Sequence, residues 1–146
     1  MQNIRWENYV WRQMHPADPA EIERIEEEWG VRLPDEYKKL VSTYQGMSPE
    51  PSTFRIGRVV HVFNTLLTIT RDQESEGYSV QHYQEVLRPL VPAGIHPFGD
   101  TPGGEYLCFD YRDSPDHPRI VLVSVEAHIY PVANSFEEFM DGLYDD

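Results

Sequence analysis

Four carboxylates in the second half of the chain are the residues whose types and spacing best suit chemistry. Asp100, Glu105, Asp110 and Asp113 fall within one short stretch, and paired carboxylates can serve as general acid and base. A structural role explains them more simply, because Asp100 lies in a turn-rich sequence and Glu105 and Asp110 flank a predicted strand. The alternating ligands of a calcium-binding loop are also missing. An enzyme that uses these carboxylates is therefore the third of three functional hypotheses for this chain.

The histidines and the cysteine form no metal-binding or nucleophile motif. The six histidines are scattered singly, at His15, His61, His82, His96, His117 and His128. Neither a His-Glu-x-x-His pair nor a close Cys/His set occurs, and the sequence holds no nucleophile elbow and no phosphate-binding Gly-Lys loop. The one cysteine, Cys108, lies in an apolar run, where burial disfavours its thiolate. We therefore expect no metal, no cofactor and no enzymatic activity.

The stretch 97–111 combines the densest turn signal of the chain with its clearest strand. Two prolines and three glycines lie within eight residues, at Pro97, Gly99, Pro102, Gly103 and Gly104. From residue 105 onwards the side chains alternate, so that Leu107, Phe109 and Tyr111 fall on one face of a strand. We predict a tight, shaped loop that runs into a half-buried strand.

The charge of the chain is strongly negative and unevenly placed. There are 25 acidic and 12 basic residues, a balance of −13. Residues 18–36 contribute −6 and residues 137–146 contribute −5, so two short segments carry −11 of the total. Such a field repels phosphate backbones and attracts a basic partner, which argues against direct nucleic-acid binding. The alternative, that the acidity only keeps the protein in solution, stays open at this point.

The N-terminal part of the chain predicts three helices. Before residue 17, apolar residues recur every three to five positions, at Trp6, Tyr9, Val10, Trp11 and Met14. Asp18 as a cap and Pro19 at the first position begin a second helix, which Gly30 ends. A third helix opens at Pro34 and ends at Gln45.

The middle of the chain predicts strands and one further helix. Residues 47–53 are expected to form a loop, and residues 54–60 a strand with a bulge at Gly57. Residues 62–70 suit either a strand or a buried connection, and residues 71–77 a surface loop. A helix is expected within residues 78–88, with three side chains inward, those of Tyr83, Val86 and Leu87.

The C-terminal part predicts two strands and a helix. Residues 120–125 are apolar on both faces, as in a central strand, and residues 128–132 form a last strand in which Pro131 suits an edge. Ser135 caps a helix that turns Phe136 and Phe139 inward. Helices first, strands next and a helix last predict an α+β fold, with a mainly antiparallel sheet and helices packed on it, in a single domain over residues 1–146.

Three segments in this order resemble those of the SUKH superfamily. They are residues 21–30, 33–37 and 97–105, which read EIERIEEEWG, LPDEY and PFGDTPGGE. That superfamily holds fungal cell-wall-assembly regulators of the Smi and Knr type and many bacterial immunity proteins. The resemblance extends from about residue 18 to the C-terminal helix. The chain departs from the family at residues 44–47, where Tyr-Gln-Gly-Met replaces the usual Tyr-Asn-Gly-Gly and so alters the turn after the helix.

The resemblance implies a non-enzymatic α+β domain that binds other proteins. Many bacterial members of the superfamily neutralise polymorphic toxins by direct binding, and those toxins are often nucleases or other toxins directed at nucleic acids and are commonly basic. The leading hypothesis is therefore an immunity protein whose partner is a basic toxin, without nucleic-acid or membrane binding. The second hypothesis is a regulatory or scaffold module that recognises a peptide or a wall-assembly component, as the fungal relatives suggest.

The expected contact surface lies on loops, because shaped loops on a rigid sheet commonly carry recognition. We predict partner contacts among Gln45, Gly46, Met47, Asp100, Thr101, Glu105 and Asp113. The chain has no apolar run long enough to cross a bilayer and no signal-like N-terminus. We therefore expect a cytoplasmic location.

Overall fold

The structure is a computed structural model that describes residues 3–145. Within this range the α-helices are α1 (Pro19–Trp29), α2 (Asp35–Tyr44), α3 (Val80–Leu87) and α4 (Phe136–Asp141), with a short 3₁₀ turn at Glu76–Tyr78. The strands are β1 (Arg5–Asn8), β2 (Met47–Glu50), β3 (Thr53–Ile56), β4 (Val59–Val62), β5 (Thr65–Leu66), β6 (Ile95–Asp100), β7 (Tyr106–Asp110), β8 (Arg119–Val123) and β9 (Ile129–Ala133).

The strands form one large sheet and two separate two-stranded sheets, all antiparallel. The large sheet has five strands in the order β5-β6-β7-β8-β9, and the pairs are β1 with β2 and β3 with β4. Pro131 lies in β9, at the edge of the large sheet, where its missing N–H costs no ladder bond. The α+β prediction with a mainly antiparallel sheet is confirmed.

Helix α1 forms because its ends are specified locally. The Asp18 side chain accepts a hydrogen bond from the Ala20 N–H at 2.9 Å, and Pro19 occupies the first helical position. Gly30 ends the helix with φ of +66°, a left-handed conformation that glycine adopts at low cost. Ile22 and Ile25 are buried on the face of α1 that packs on the core.

The large sheet is covered on both faces. On one face, Leu107 and Phe109 of β7 pack with Tyr37 of α2 and the apolar side of α4. On the other face, Cys108 joins a smaller cluster with Leu87, Ile95, Val121 and Val123. The predicted alternation of β7 is therefore confirmed, although both of its faces are buried.

The predicted first helix is wrong, because the N-terminal segment forms a strand. Strand β1 pairs with β2 from Arg5 opposite Glu50 to Asn8 opposite Met47. The Trp6 ring stacks on that of Tyr44 at the end of α2, with centroids 5.1 Å apart. Trp6 is therefore apolar because it packs against α2, and not because it belongs to an amphipathic helix. The same pairing overturns the loop predicted at residues 47–53, since β2 occupies most of it. Residues 1 and 2 of the predicted helix lie outside the described range.

Two predictions in the middle of the chain also need correction. The single strand predicted at residues 54–60 is the hairpin β3–β4, and Gly57 makes its turn with φ of +60°. Of the two alternatives left open for residues 62–70, a buried connection holds for most of the segment: residue 62 ends β4, and the rest contains the short β5. In α3, the prediction that Val86 points inward is wrong, because its side chain is 39% exposed. The buried residues of this helix are Val80, Gln84 and Leu87.

The loop predicted from residue 97 begins later, because residues 97–100 belong to a strand. Every residue of β6 is buried. A Cβ at Gly99 would lie 2.8 Å from the Phe63 ring, so glycine is required there for close packing. A register shift between Pro97 and Gly99 accommodates the proline. The turn itself spans residues 101–105.

No helix within residues 3–145 is long and apolar enough to cross a membrane.

His96 is a buried, neutral histidine in β6. Its ring stacks on Trp29 with centroids 4.5 Å apart and planes 10° apart. Its Nδ1 lies 2.6 Å from Gln84 Oε1, an acceptor, which places a proton on Nδ1. Burial lowers the pKa of His96 to about 4, since a charged imidazole would lose its hydration there.

We predict that His96 makes the folded state less stable in acid. In the unfolded chain His96 takes up a proton at a higher pH than in the folded chain, so its contribution is lost as pH falls from about 6.5 to 4. From pH 7 to pH 4 the natural chain should lose about 2–3 kcal/mol more unfolding free energy than His96→Phe, which keeps a ring on Trp29. Urea unfolding of both proteins at the two pH values measures this difference, and parallel losses would contradict it.

Candidate protein-binding surface

The turn at residues 101–105, which we call the glycine loop, is held in shape by its own hydrogen bonds. Thr101 N–H donates to the Glu105 carbonyl at 3.1 Å, and Gly104 N–H donates to the Thr101 carbonyl at 3.1 Å. The Thr101 hydroxyl donates to Glu105 Oε1 at 3.1 Å and accepts from the Glu105 N–H at 3.2 Å. Thr101 is 5% exposed, so the loop presents Pro102, Gly103 and Gly104 to solvent.

Asp100 lies beneath this loop and contributes to the fold. Its Oδ1 accepts from the Thr65 N–H at 3.0 Å, and its Oδ2 accepts from the Tyr83 hydroxyl at 2.9 Å. Burial raises the pKa of Asp100 above the usual value, while these hydrogen bonds act in the opposite direction. The carboxylate thus joins β5, β6 and α3, and it is 7% exposed.

Glu105 and Asp113 are the two predicted contact residues with accessible carboxylates, and they lie far apart. Glu105 Oε1 is 3.4 Å from His61 Nδ1, which links the glycine loop to the β3–β4 hairpin. Asp113 is exposed and lies 3.4 Å from Arg119. The two residues flank opposite ends of β7, whose five residues span roughly 14 Å.

The four carboxylates considered for catalysis do not converge on one point. Asp100 and Glu105 lie at one end of β7, and Asp110 and Asp113 lie at the other. Asp110 forms two side-chain hydrogen bonds with Arg112, at 3.0 and 2.9 Å. Within the described part of the chain, no three His, Cys, Asp or Glu side chains are grouped as metal ligands would be.

Gln45 is a buried tether between three parts of the chain. Its amide nitrogen donates to the His15 carbonyl at 2.7 Å and to the Thr70 hydroxyl at 3.2 Å. Its amide oxygen accepts from the N–H groups of Ile69 at 2.9 Å and Thr70 at 3.2 Å. The side chain is fully enclosed, so a partner would meet the surface that Gln45 supports.

Gly46 and Met47 are also internal. Gly46 has φ of +75°, and its N–H donates to the Leu66 carbonyl at 2.7 Å. A Cβ at Gly46 would lie 2.8 Å from the ring of Trp11. Met47 is 5% exposed and belongs to β2, which explains why the position after Gly46 need not be a second glycine.

The two acidic segments of the sequence meet on one surface. Glu26 and Glu27 of α1 line a shallow groove of about 390 Å³ together with Asp116 of the β7–β8 loop. Asp116 also lines the neighbouring groove of about 500 Å³, with Asp35 of α2 and Glu137 of α4. We call these five residues the acidic face. Carboxylates from four separate elements are thus brought side by side.

Two basic side chains partly balance this surface. Lys38 Nζ lies 3.4 Å from Glu26 and 3.8 Å from Asp35, and Arg32 lies 3.9 Å from Asp35. Five carboxylates against these two cations leave an excess of three negative charges. The pairs with Asp35 are open to solvent and contribute little stability, whereas Lys38 and Glu26 are both partly buried. The surface as a whole remains negative.

A comparison with known families assigns the chain to one of them. The family model for the SMI1/KNR4 family (SUKH-1) matches residues 16–142. The chain belongs to this family. No curated protein matches the chain closely enough to count as a relative. The SUKH-1 match covers every predicted contact residue and the whole acidic face, and the resemblance inferred from the three sequence segments is confirmed.

The SUKH-1 segments occupy connected positions in the fold. Residues 21–30 form most of α1 and its cap, and residues 33–37 form the entry into α2. Residues 97–105 form the end of β6 and the glycine loop. Sequence reasoning noticed both acidic segments but missed Asp116, because only the folded chain places the β7–β8 loop between them. The predicted contact residues in the two loops stay a prediction.

Gly46 should tolerate a side chain less well than Gly30, and the pair isolates the effect of packing. Both residues have φ near +70°, but a Cβ at Gly30 meets nothing within 4 Å. Gly30→Ala should cost about 1 kcal/mol of unfolding free energy from backbone strain alone. Gly46→Ala should cost about 1–3 kcal/mol more, because the methyl group collides with Trp11. Chemical denaturation measures both values, and equal losses would show that Trp11 moves aside freely.

Proposed function

We propose that this SUKH-1 chain is an immunity-type protein that binds a cognate protein toxin directly and transforms no substrate. The family to which the chain belongs includes immunity proteins. The observation that carries the proposal is the acidic face, where carboxylates of α1, α2, α4 and the β7–β8 loop lie side by side. A surface of this kind attracts a basic protein and repels nucleic acid.

The chemistry of the partner follows from this charge. Nucleases present basic clefts to phosphate backbones, and a row of carboxylates on a rigid scaffold can occupy such a cleft in place of phosphates. The balance of −13 over 146 residues adds a long-range attraction to the local one. A basic toxin, such as a nuclease domain, is therefore the proposed partner.

The experiment uses the toxin domain that the proposal predicts in the gene immediately upstream. Co-expression should suppress its toxicity, and the two purified proteins should elute as one complex from a sizing column. The association rate should fall strongly between low and physiological salt, because steering by charge is screened. Toxicity that persists, with no complex, would contradict the proposal, and so would a gene that stands alone, which favours the regulatory or scaffold hypothesis.

A charge-reversal pair tests the contact surface. Glu27→Lys combined with Asp116→Lys changes two exposed carboxylates of the acidic face, and Glu74→Lys combined with Glu126→Lys makes the same charge change at exposed positions elsewhere. The first pair should weaken toxin binding at least about tenfold. The control pair should change affinity about twofold or less. Isothermal titration calorimetry measures both, and equal effects would show that only the net charge matters.

A further inference from the structure

A mostly apolar groove lies beside the acidic face. It has a volume of about 520 Å³ and runs between the end of α1, the connection from α3 to β6 and the start of the β7–β8 loop. Its apolar walls come from Trp29, Val31, Val91, Ile95, Tyr111 and Pro115. We call it the Trp29 groove. Its volume is in the range of sites that enclose a large side chain or a small ligand.

The floor of the Trp29 groove is fixed before any partner arrives. Trp29 is stacked on His96, and His96 is held by Gln84 at 2.6 Å. Gln84 in turn donates to the Ile95 carbonyl at 3.4 Å, and the Tyr111 hydroxyl donates to the Arg32 carbonyl at 2.8 Å. A site whose rings are already ordered loses little conformational entropy when it binds.

The Trp29 groove holds no enclosed side-chain atom that lacks a hydrogen-bond partner. Among residues 3–145, the buried side-chain atoms without a hydrogen-bond partner belong to Ser48, Thr68 and Gln81, and none of these residues lines the Trp29 groove. No buried polar atom of the groove therefore needs a polar ligand to satisfy it. The features that favour a particular occupant are the apolar walls of the groove and the charge at its rim.

The rim of the groove is negative on the side of the acidic face. The Trp29 groove shares Gly30, Val31 and Pro115 with the shallow groove that Glu26, Glu27 and Asp116 line. At the other end Glu28 and Arg88 carry opposite charges and balance each other. A partner segment that fills the Trp29 groove therefore also lies next to the carboxylates of the acidic face.

We propose that the Trp29 groove takes one large apolar side chain from a partner protein, flanked in that partner by lysine or arginine residues that reach the acidic face. Charge complementarity selects this occupant, because the rim is acidic and the walls are apolar. A second copy of the chain is a poor occupant, since two molecules with a balance of −13 each repel one another. The inference rests on the proposed function, because the bound partner protein supplies the side chain that fills the groove.

The test uses the full chain and three blocked peptides of the form Gly-X-Z-X-Gly. In the first peptide X is lysine and Z is phenylalanine, in the second X is lysine and Z is glycine, and in the third X is glutamate and Z is phenylalanine. Nuclear magnetic resonance follows the indole N–H of Trp29, and the indoles of Trp6 and Trp11, which do not line the groove, act as internal controls. The Lys-Phe-Lys peptide should bind at least about tenfold more tightly than either of the others.

A matched pair of variants places the peptide in the groove. Ala93→Lys puts a charged side chain at an exposed position that lines the groove, and Val59→Lys adds the same charge at an exposed position on β4. Ala93→Lys should weaken Lys-Phe-Lys binding at least about tenfold, while Val59→Lys should leave it within about twofold.

Four results would overturn the inference. These are equal binding of the Lys-Gly-Lys peptide, equal binding of the Glu-Phe-Glu peptide, shifts confined to the Trp6 or Trp11 indoles, and a dimer of the chain that Ala93→Lys dissociates. The toxin separates this inference from the proposed function. Toxin binding that Ala93→Lys leaves unchanged removes the groove and keeps the immunity role, whereas the expected peptide result without any toxin complex removes the immunity role and keeps the groove.

Discussion

The contact between Tyr37 and Phe136 is the constraint on which the surface of this protein depends. Their rings meet edge to face with centroids 5.7 Å apart, and both rings pack against Phe98 in the fully buried strand β6. Tyr37 follows Asp35 at the start of α2, and Phe136 precedes Glu137 at the start of α4. The aromatic core therefore brings together two acidic segments that lie about a hundred residues apart in the sequence.

This arrangement costs electrostatic energy that the core must offset. Carboxylates of like charge repel one another, and Arg32 and Lys38 compensate only part of that repulsion. Burial of large aromatic side chains is worth far more than exposed ion pairs of this kind. The chain can therefore hold a negative surface that a basic partner neutralises on binding. The Trp29 groove adds an apolar contact next to that surface, which charge alone does not provide.

The parts of the fold that sequence predicted correctly are those that local chemistry specifies. Helix α1 is fixed by Asp18, Pro19 and Gly30 within a dozen residues, and β7 by its own alternation. Strand β1 was missed because its pairing partner lies about forty residues further on, where Arg5 meets Glu50.

Composition also misled where glycine serves packing and not a turn. Gly99 lies in a buried strand, and the position requires glycine because Phe63 leaves no room for a Cβ. The carboxylate of Asp100 and the amide of Gln45 were predicted as contacts, and the structure buries both within hydrogen bonds of the fold. The acidic face could be predicted only in part, since its two segments are visible in the sequence but their meeting at Asp116 depends on tertiary packing.

Hydrogen–deuterium exchange of the complex with the proposed toxin domain shows which surface of this protein the partner covers. If the acidic face and the adjoining groove form the contact, amide exchange should slow in residues 26–35, 92–95, 115–117 and 134–138 on binding. Protection confined to residues 101–105, with exchange at the acidic face unchanged, would contradict the account.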